Sequence, residues 1–442
     1  MSAKISRQGL MMRSDIIAVH AVYNFGDLTL GTQNFDPKKD GPGPAILYEE
    51  RAPLIGDQVW MSEFTDRSNL PWMADVGLAP REVVVVPGHQ LIPGILGDNT
   101  LLKQFSSSAR NGGRVQFFSP GEQENVLMQE AGLSYQDTIS CDPKIAGLFA
   151  DKAELRHIAG AQDFKKKYPG KFFPPHQILN QYWSEESLYS AINQVKREAI
   201  KLGLQDVIVK RTDQASGDGM KCACDAGFSS FVQQQVGHPL IVEVFVPNHQ
   251  AISIQYFIHD GEITELSASR QIQKGLVHKG NLIASKNHVL DEGQSNILRH
   301  LTLPFVYEAL NKEYNGVIGF DAVHRSDLGL MFLTEANARV TATTYPIGVV
   351  RRLQRTLKSF TPWAIANEMF MEPSVNLTNF EDVRKALGKR LYLPCREHGV
   401  VPYMISGLRL KKGRRIGLLV IGNYAKSVEF LLQEAKDALR HG

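Results

Sequence analysis

Cysteine is scarce in this chain: four residues, Cys141, Cys222, Cys224 and Cys395, are scattered through 442. That excludes a disulfide framework of the kind that holds small secreted folds together. Only Cys222 and Cys224 are neighbours; a CxC pair on a strand puts both on one face, but a zinc site needs two further ligands, and no second pair lies nearby. They are expected to serve as small apolar residues. Charge of one sign is also lacking, because 49 Lys and Arg against 46 Asp and Glu leave +3, which provides no basic field for a nucleic-acid partner. No run approaches the ~20 apolar residues of a membrane span, and stretches such as Ile416 to Ile421 are strand-sized. Neither membrane nor nucleic acid is an expected partner. The basic N-terminus has no apolar segment after it, so a cytoplasmic location is expected. The GxxxxGK[ST] and GxGxxG fingerprints are both missing.

What remains is an ordinary globular composition, 43% hydrophobic and 21% charged, with length for two or three domains at ~150 residues each. The runs DIIAVHAVY (15–23), REVVVVP (81–87) and GRVQFF (113–118) read as buried strands. They alternate with helical segments, LLKQFSSSAR and GEQENVLMQEAG, as in an α/β layer domain over residues 1–145. DPKKDGPGP (36–44) reads as a surface loop. Ile145, Leu148, Phe149, Leu155 and Ile158 repeat at helical spacing up to a stop at Gly160, and the Lys-, Phe- and Pro-rich KKKYPGKFFPP follows as a linker. Residues 184–203 form an amphipathic helix capped by Ser184 and ended by Gly203. The chain then turns strand-rich, with Asp260-Gly261 supplying the positive φ of a hairpin turn. Beyond it the pattern predicts a helix in LRHLTLPFVYEALNKEY, strands in GVIGFDAVHR and GLMFLTEANAR, and a helix at WAIANEMF. VVPYMISGLRLKKGRRIGLLVIG reads as strands joined by a solvated basic turn, and a terminal amphipathic helix closes the pattern.

Two segments carry chemistry. In DVIVKRTDQASGDGM a strand ending in Lys210 enters a small-residue loop, Ala215, Ser216, Gly217, Asp218 and Gly219. Such a loop can lie close over an anion while consecutive N–H groups cradle phosphate oxygens, and Lys210 adds a point charge. In GVIGFDAVHRSDLGLMFLTEANAR, Glu335 and Asn337 share one strand face, and a turn at Ser326 to Gly329 brings Asp321 beside them. Oxygen ligands converging in this way suit Mg²⁺, and Arg339 continues the alternation on the same face, fit to hold a phosphoryl or carboxylate group. Buried charges in an apolar strand pair imply that they meet a metal, a ligand or each other.

These motifs, in this order over residues 145 to 350, resemble those of the ATP-grasp superfamily of ATP-dependent ligases. The resemblance implies an α/β (α+β) fold in which an N-terminal α/β pre-ATP-grasp domain (1–145) precedes the ATP-grasp domain (146–375). The latter divides into a lid (146–238) and a hinge with metal-binding core (239–375), and residues 376–442 form a small C-terminal extension. It implies ATP and Mg²⁺ as cofactors. Lys152 and Lys210 take the nucleotide-phosphate roles, and Ser216, Gly217, Asp218 and Gly219 belong to the phosphate-covering loop. Glu243, Phe245 and Val246 form the hinge that meets the nucleotide. Asp321, Glu335 and Asn337 are the metal triad, and Arg339 is the arginine just after it. Arg270 and Lys274, in SASRQIQKG, are candidates for the transferred phosphate, and His249 and His278 for ribose or substrate. The implied reaction joins a carboxylate and an amine, small molecules or peptides, through an acyl phosphate. The N-terminal domain, the SASRQ segment and the C-terminal strands resemble most the peptide ligases of the pheganomycin type. A non-ligating ATP-binding regulator and a phosphotransferase of the same fold stay open as alternatives, as does a homodimer.

Overall fold

The structure is a computed structural model that describes residues 5–6, 16–21, 46–213, 219–284, 289–356, 362–411 and 413–441. After a two-residue strand, β1 (Ile5–Ser6), come β2 (Ile16–Val19), β3 (Gln58–Ser62), β4 (Glu82–Val86) and β5 (Arg114–Phe117), an all-parallel sheet in the order β4-β3-β2-β5. Helices cover it, as parallel pairing requires. Asp98 caps one of them, Asn99–Arg110, by accepting from the N–H groups of Thr100 and Leu101, and Trp60 of β3 meets its Phe105 edge to face at 5.6 Å. β3 and the short helices Leu70–Asp75 and Leu91–Leu96 had no clear pattern in the sequence.

A second, antiparallel sheet comprises β6 (His176–Leu179), β7 (Val207–Arg211), β8 (Met220–Cys222) and β9 (Leu240–Val244) in the order β6-β9-β7-β8. The helix Glu185–Lys201 lies on it through Leu188, Ala191, Ile192, Val195 and Ala199, an apolar stripe at helical spacing. Ser184 caps it as expected, accepting from the N–H of Ser187.

The largest sheet contains β10 (Gln250–His259), β11 (Glu262–Lys274), β12 (Val277–Ala284), β13 (Gly316–Arg325), β14 (Leu330–Asn337), β15 (Trp363–Phe370), β16 (Gly399–Tyr403) and β17 (Arg415–Gly422). Their order is β14-β13-β10-β11-β12-β15-β17-β16, with β1 parallel to β11. Asp260 and Gly261, both at positive φ (50° and 75°), turn β10 into β11, the two-residue hairpin the sequence announced. One extensive core joins the units: Ile46, Leu47 and Leu54 of the N-terminal region pack with Phe257, Ile283, Tyr345, Tyr403 and Leu419.

Several sequence readings are corrected. WAIANEMF is not a helix but β15, buried across Ala364 to Asn367 and paired on both sides; the helix lies just before it, at Thr344–Thr356. The single helix expected from Ile145 to Gly160 is two, because Asp151 takes an extended conformation and caps the second, Lys152–Gly160. KKKYPGKFFPP is not a linker throughout: its three lysines end the helix Gln162–Lys167, and Phe172 and Phe173 are buried against Phe305. Gly407 to Arg409 of GLRL fall in a 3₁₀ helix, Ile405–Arg409, and Leu410 caps it. β8 ends at Cys222, so Cys224 lies beyond the strand and is exposed while Cys222 is buried.

Candidate active site

A cavity of about 520 Å³ opens between the β6–β9 sheet and the largest sheet, with Tyr48, Arg51 and Phe118 of the N-terminal region on its wall. On one side stand two lysines, each tied to an acid. Lys152 opens its helix one residue after the Asp151 cap, and its Nζ lies 3.1 Å from Glu335 Oε2. Lys210 of β7 ion-pairs with Glu243 of β9, and Arg156 ion-pairs with the other oxygen of the same carboxylate. The side chains of Glu243 and Arg156 are only 2% and 0% exposed. Burial opposes ionisation of Glu243, yet the charges of Lys210 and Arg156 prevail and hold its carboxyl below the ordinary value. Arg156 is fixed further by donating to the carbonyls of Lys152 (2.8 Å) and Thr334 (3.2 Å), with Phe173 beneath its guanidinium at 4.5 Å. Nothing in the residue pattern singles out Arg156, which lies on the buried side of a helix read only for its apolar spacing.

Beside these cations, Asp321 and Glu335 are directly paired across β13 and β14. Asn337 Nδ2 donates to Asp321 Oδ2 at 3.0 Å, and Gln271 Nε2 donates to Oδ1 at 2.9 Å. Burial, reinforced by the neighbouring Glu335 charge, pushes the Asp321 carboxyl up to about 7. Burial acts on Glu335 in the same sense, but Lys152 and then Lys210 overcome it and bring that carboxyl down to about 2. Asn337 commits its amide N–H to Asp321, so its carbonyl is the oxygen it can offer. Two carboxylates and an amide carbonyl are a hard, all-oxygen donor set, which fits Mg²⁺. Arg339 lines the same cavity, and burial lowers its guanidinium below the ordinary value.

With this geometry in view, likeness to solved structures is informative. No protein-family model and no curated protein matches the chain by sequence. By structure, the chain is similar to N5-carboxyaminoimidazole ribonucleotide synthetase in complex with ADP, at TM-score 0.54 and 12% identity over 99% of this chain and 98% of that one. Biotin carboxylase from Campylobacter jejuni, in complex with β-γ-ATP, gives TM-score 0.55 and 14% identity over 96% and 94%. N5-carboxyaminoimidazole synthase from Aspergillus clavatus, with ADP and aminoimidazole ribonucleotide, gives 0.52 and 10% over 87% and 99%. The chain has the ATP-grasp fold.

Within the ATP-grasp fold of this chain, Lys152, Lys210, Glu243, Phe245, Val246, Asp321, Glu335, Asn337 and Arg339 all line the one cavity. The carbonyl of Val246 accepts from His249 Nδ1, and the Phe245 N–H donates to the Asp206 carbonyl at 2.9 Å. Gly219 sits at positive φ (67°), its carbonyl accepting from the Arg211 N–H. Ser216, Gly217 and Asp218 lie outside the described residues, as does the side chain of Lys274. Arg270 is a correction: it faces away from the cavity and lies 3.6 Å from Glu429, while its neighbour Gln271 holds Asp321. Strand parity explains the exchange, because adjacent residues of β11 point to opposite faces. Gln273 and His278 also line the cavity, and burial lowers the His278 imidazole. Asp206, Cys222 and Cys224 bring ligand atoms within 4.8 Å of one another, one more ligand than the CxC pair supplies. Among the described residues no helix is long and apolar enough to cross a membrane.

Proposed function

We propose that this protein is an ATP-dependent carboxylate–amine ligase. The observation that carries the reading is the joining, in one cavity, of two phosphate-competent lysines, an oxygen triad and Arg339 with further space lined by other residues. A nucleotide alone does not need that second space. In the proposed reaction a carboxylate oxygen attacks the γ-phosphorus of ATP, releasing ADP and forming an acyl phosphate. An amine then attacks the acyl carbon, phosphate leaves, and the amine gives up a proton. Such transfers depend on positioning and charge neutralisation more than on covalent help. Lys152, Lys210 and Arg339 neutralise phosphate oxygens, Glu243 and Arg156 fix Lys210, and Gln271 orients Asp321. A divalent cation held by Asp321, Glu335 and Asn337 supplies Lewis-acid stabilisation of phosphate charge when bound. The resemblance of the SASRQ segment and the C-terminal strands to peptide ligases supports the finer reading that the amide is a peptide bond.

The test is to incubate the purified protein with ATP, Mg²⁺ and pooled carboxylates and amines while following ADP, phosphate and product mass. An amide product with stoichiometric ADP is expected. A stable phosphorylated carboxylate would identify a phosphotransferase instead, and nucleotide binding with no turnover across the panel would overturn the ligase reading.

A further inference from the structure

The cavity continues beyond the triad to an end built by β12, β15, β17 and the turn at Arg51. Three cations line that end, Arg51, Lys279 and Arg415, against one carboxylate, Glu368. Sheet register gathers them. Phe370 pairs directly with Arg415, and Glu368 with Gly417, so Glu368, Phe370 and Arg415 share a face. Lys279 precedes Gly280, which pairs with Asn367.

The single carboxylate is already committed. Arg51 ion-pairs with Glu368, and Arg415 Nη1 lies 3.9 Å from its other oxygen. Lys279 Nζ is 4.7 Å from the centre of the Phe370 ring, an aromatic contact that leaves its charge without a carboxylate partner among the described residues. Arg415 Nε is buried with no hydrogen-bond partner among the described residues. An excess of two positive charges in a half-enclosed space is costly unless an anion completes it. Two of the three cations are arginines, whose planar fork suits carboxylate or phosphate oxygens.

This basic end is too far from the triad for one small anion to serve both. β13, which carries Asp321, is separated from β15 by β10, β11 and β12, roughly 19 Å at the usual strand spacing. Lys152 and Lys210 have their own acids, Glu335 and Glu243.

We infer that the basic end binds a carboxylate or phosphate group carried by the second substrate, apart from its reacting group. The inference rests on the reading that ATP occupies the end lined by Lys152 and Lys210. It assigns Arg51, Lys279 and Arg415 to substrate selection, and the substrate class becomes a molecule with a fixed anionic group remote from the new bond.

The test loads the protein with Mg²⁺ and a non-hydrolysable ATP analogue, AMP-PNP, to fill the phosphate-binding end. Inorganic phosphate or succinate is then titrated calorimetrically at constant ionic strength. Wild type is compared with the Lys279→Gln/Arg415→Gln double variant and with Arg270→Gln, which removes a charge on the opposite face. Saturable binding of at least one anion by wild type and Arg270→Gln is expected, weakened by about tenfold or more in the double variant, with AMP-PNP affinity unchanged. Tighter phosphate binding identifies a phosphorylated substrate, and tighter succinate binding a carboxylated one. Equal anion affinity in wild type and the double variant overturns the inference, as does no anion binding by wild type. Failure of wild type to bind AMP-PNP defeats the ATP reading alone; the same titrations on nucleotide-free protein then decide whether Lys279 and Arg415 hold an anion.

Discussion

Asp321 and Glu335 are direct cross-strand partners, two carboxylates side by side on the cavity wall. Like charges placed opposite one another destabilise a strand pair, and this pair is held by cations and amides around it rather than by mutual attraction. Relieving the repulsion is therefore cheap for the fold and expensive for chemistry. Asp321→Asn is expected to keep or raise the melting temperature of the ligand-free protein while reducing turnover by about 10²-fold or more. Thermal unfolding and ADP release measured on the same preparation check it; a large fall in melting temperature would mean that the carboxylate serves the fold.

Glu243 is the common counter-ion of Lys210 and Arg156. Glu243→Gln leaves two cations in a buried pocket without their acid, and breaking such a buried pair costs about 3–5 kcal/mol. A shift of this order in the denaturant midpoint is expected. Adding Arg156→Met should recover part of it, because one stranded charge is removed with its partner.

Four acids raised mainly by burial make stability depend on pH: Asp321 and, in the N-terminal region, Glu49, Glu50 and Glu124. Burial raises Glu49 to about 7 and Glu50 to about 8 from an ordinary value of 4.5. The folded state thus binds protons that the unfolded chain has already lost, so stability falls as pH rises through this range. Buried His20 and half-buried His249 and His278 are shifted below 6.5 by desolvation and act in the opposite sense below that value, which leaves pH 6.5–8 as the clear window. There each acid contributes a slope of up to about 1.4 kcal/mol per pH unit. Urea midpoints should decline from pH 6.5 to 8 in wild type and decline less in Glu50→Gln.

Gly280 lies where β12 meets β15, and a Cβ added there would stand 2.1 Å from the carbonyl oxygen of Ala366. Gly280→Ala must push the strands apart, at a cost of about 1–3 kcal/mol. Because Lys279 precedes it, the variant should lose more affinity for phosphate or succinate than for AMP-PNP in paired titrations.

The candidate metal hairpin was legible because its residues are close in sequence and strand alternation fixes which of them share a face: Asp321, Glu335 and Asn337 follow from two adjacent strands, and Arg339 lies two residues past the second. Lys210 was legible from the small-residue loop that follows it, whereas Lys152 was found only through a resemblance in motif order. The basic end was invisible, since Arg51, Lys279 and Arg415 come from distant segments whose meeting depends on the order β12-β15-β17. Arg270 was selected over Gln271 because charge drew attention where parity decided. WAIANEMF misled through its Ala, Glu and Met, good helix formers, whereas pairing with strands on both sides determined its conformation.

The position of β17 between β15 and β16 has a consequence for how the protein is made. β15 leaves the ribosome well before its neighbour, with the helix Phe380–Leu387 and β16 in between, so a nascent chain holds the hairpin of Asp321 and Glu335 complete while one edge of β15 is bare. Such edges recruit foreign strands. Arg415 begins the strand that covers it, which makes the last wall of the cavity and the protection of that edge a single late event in synthesis.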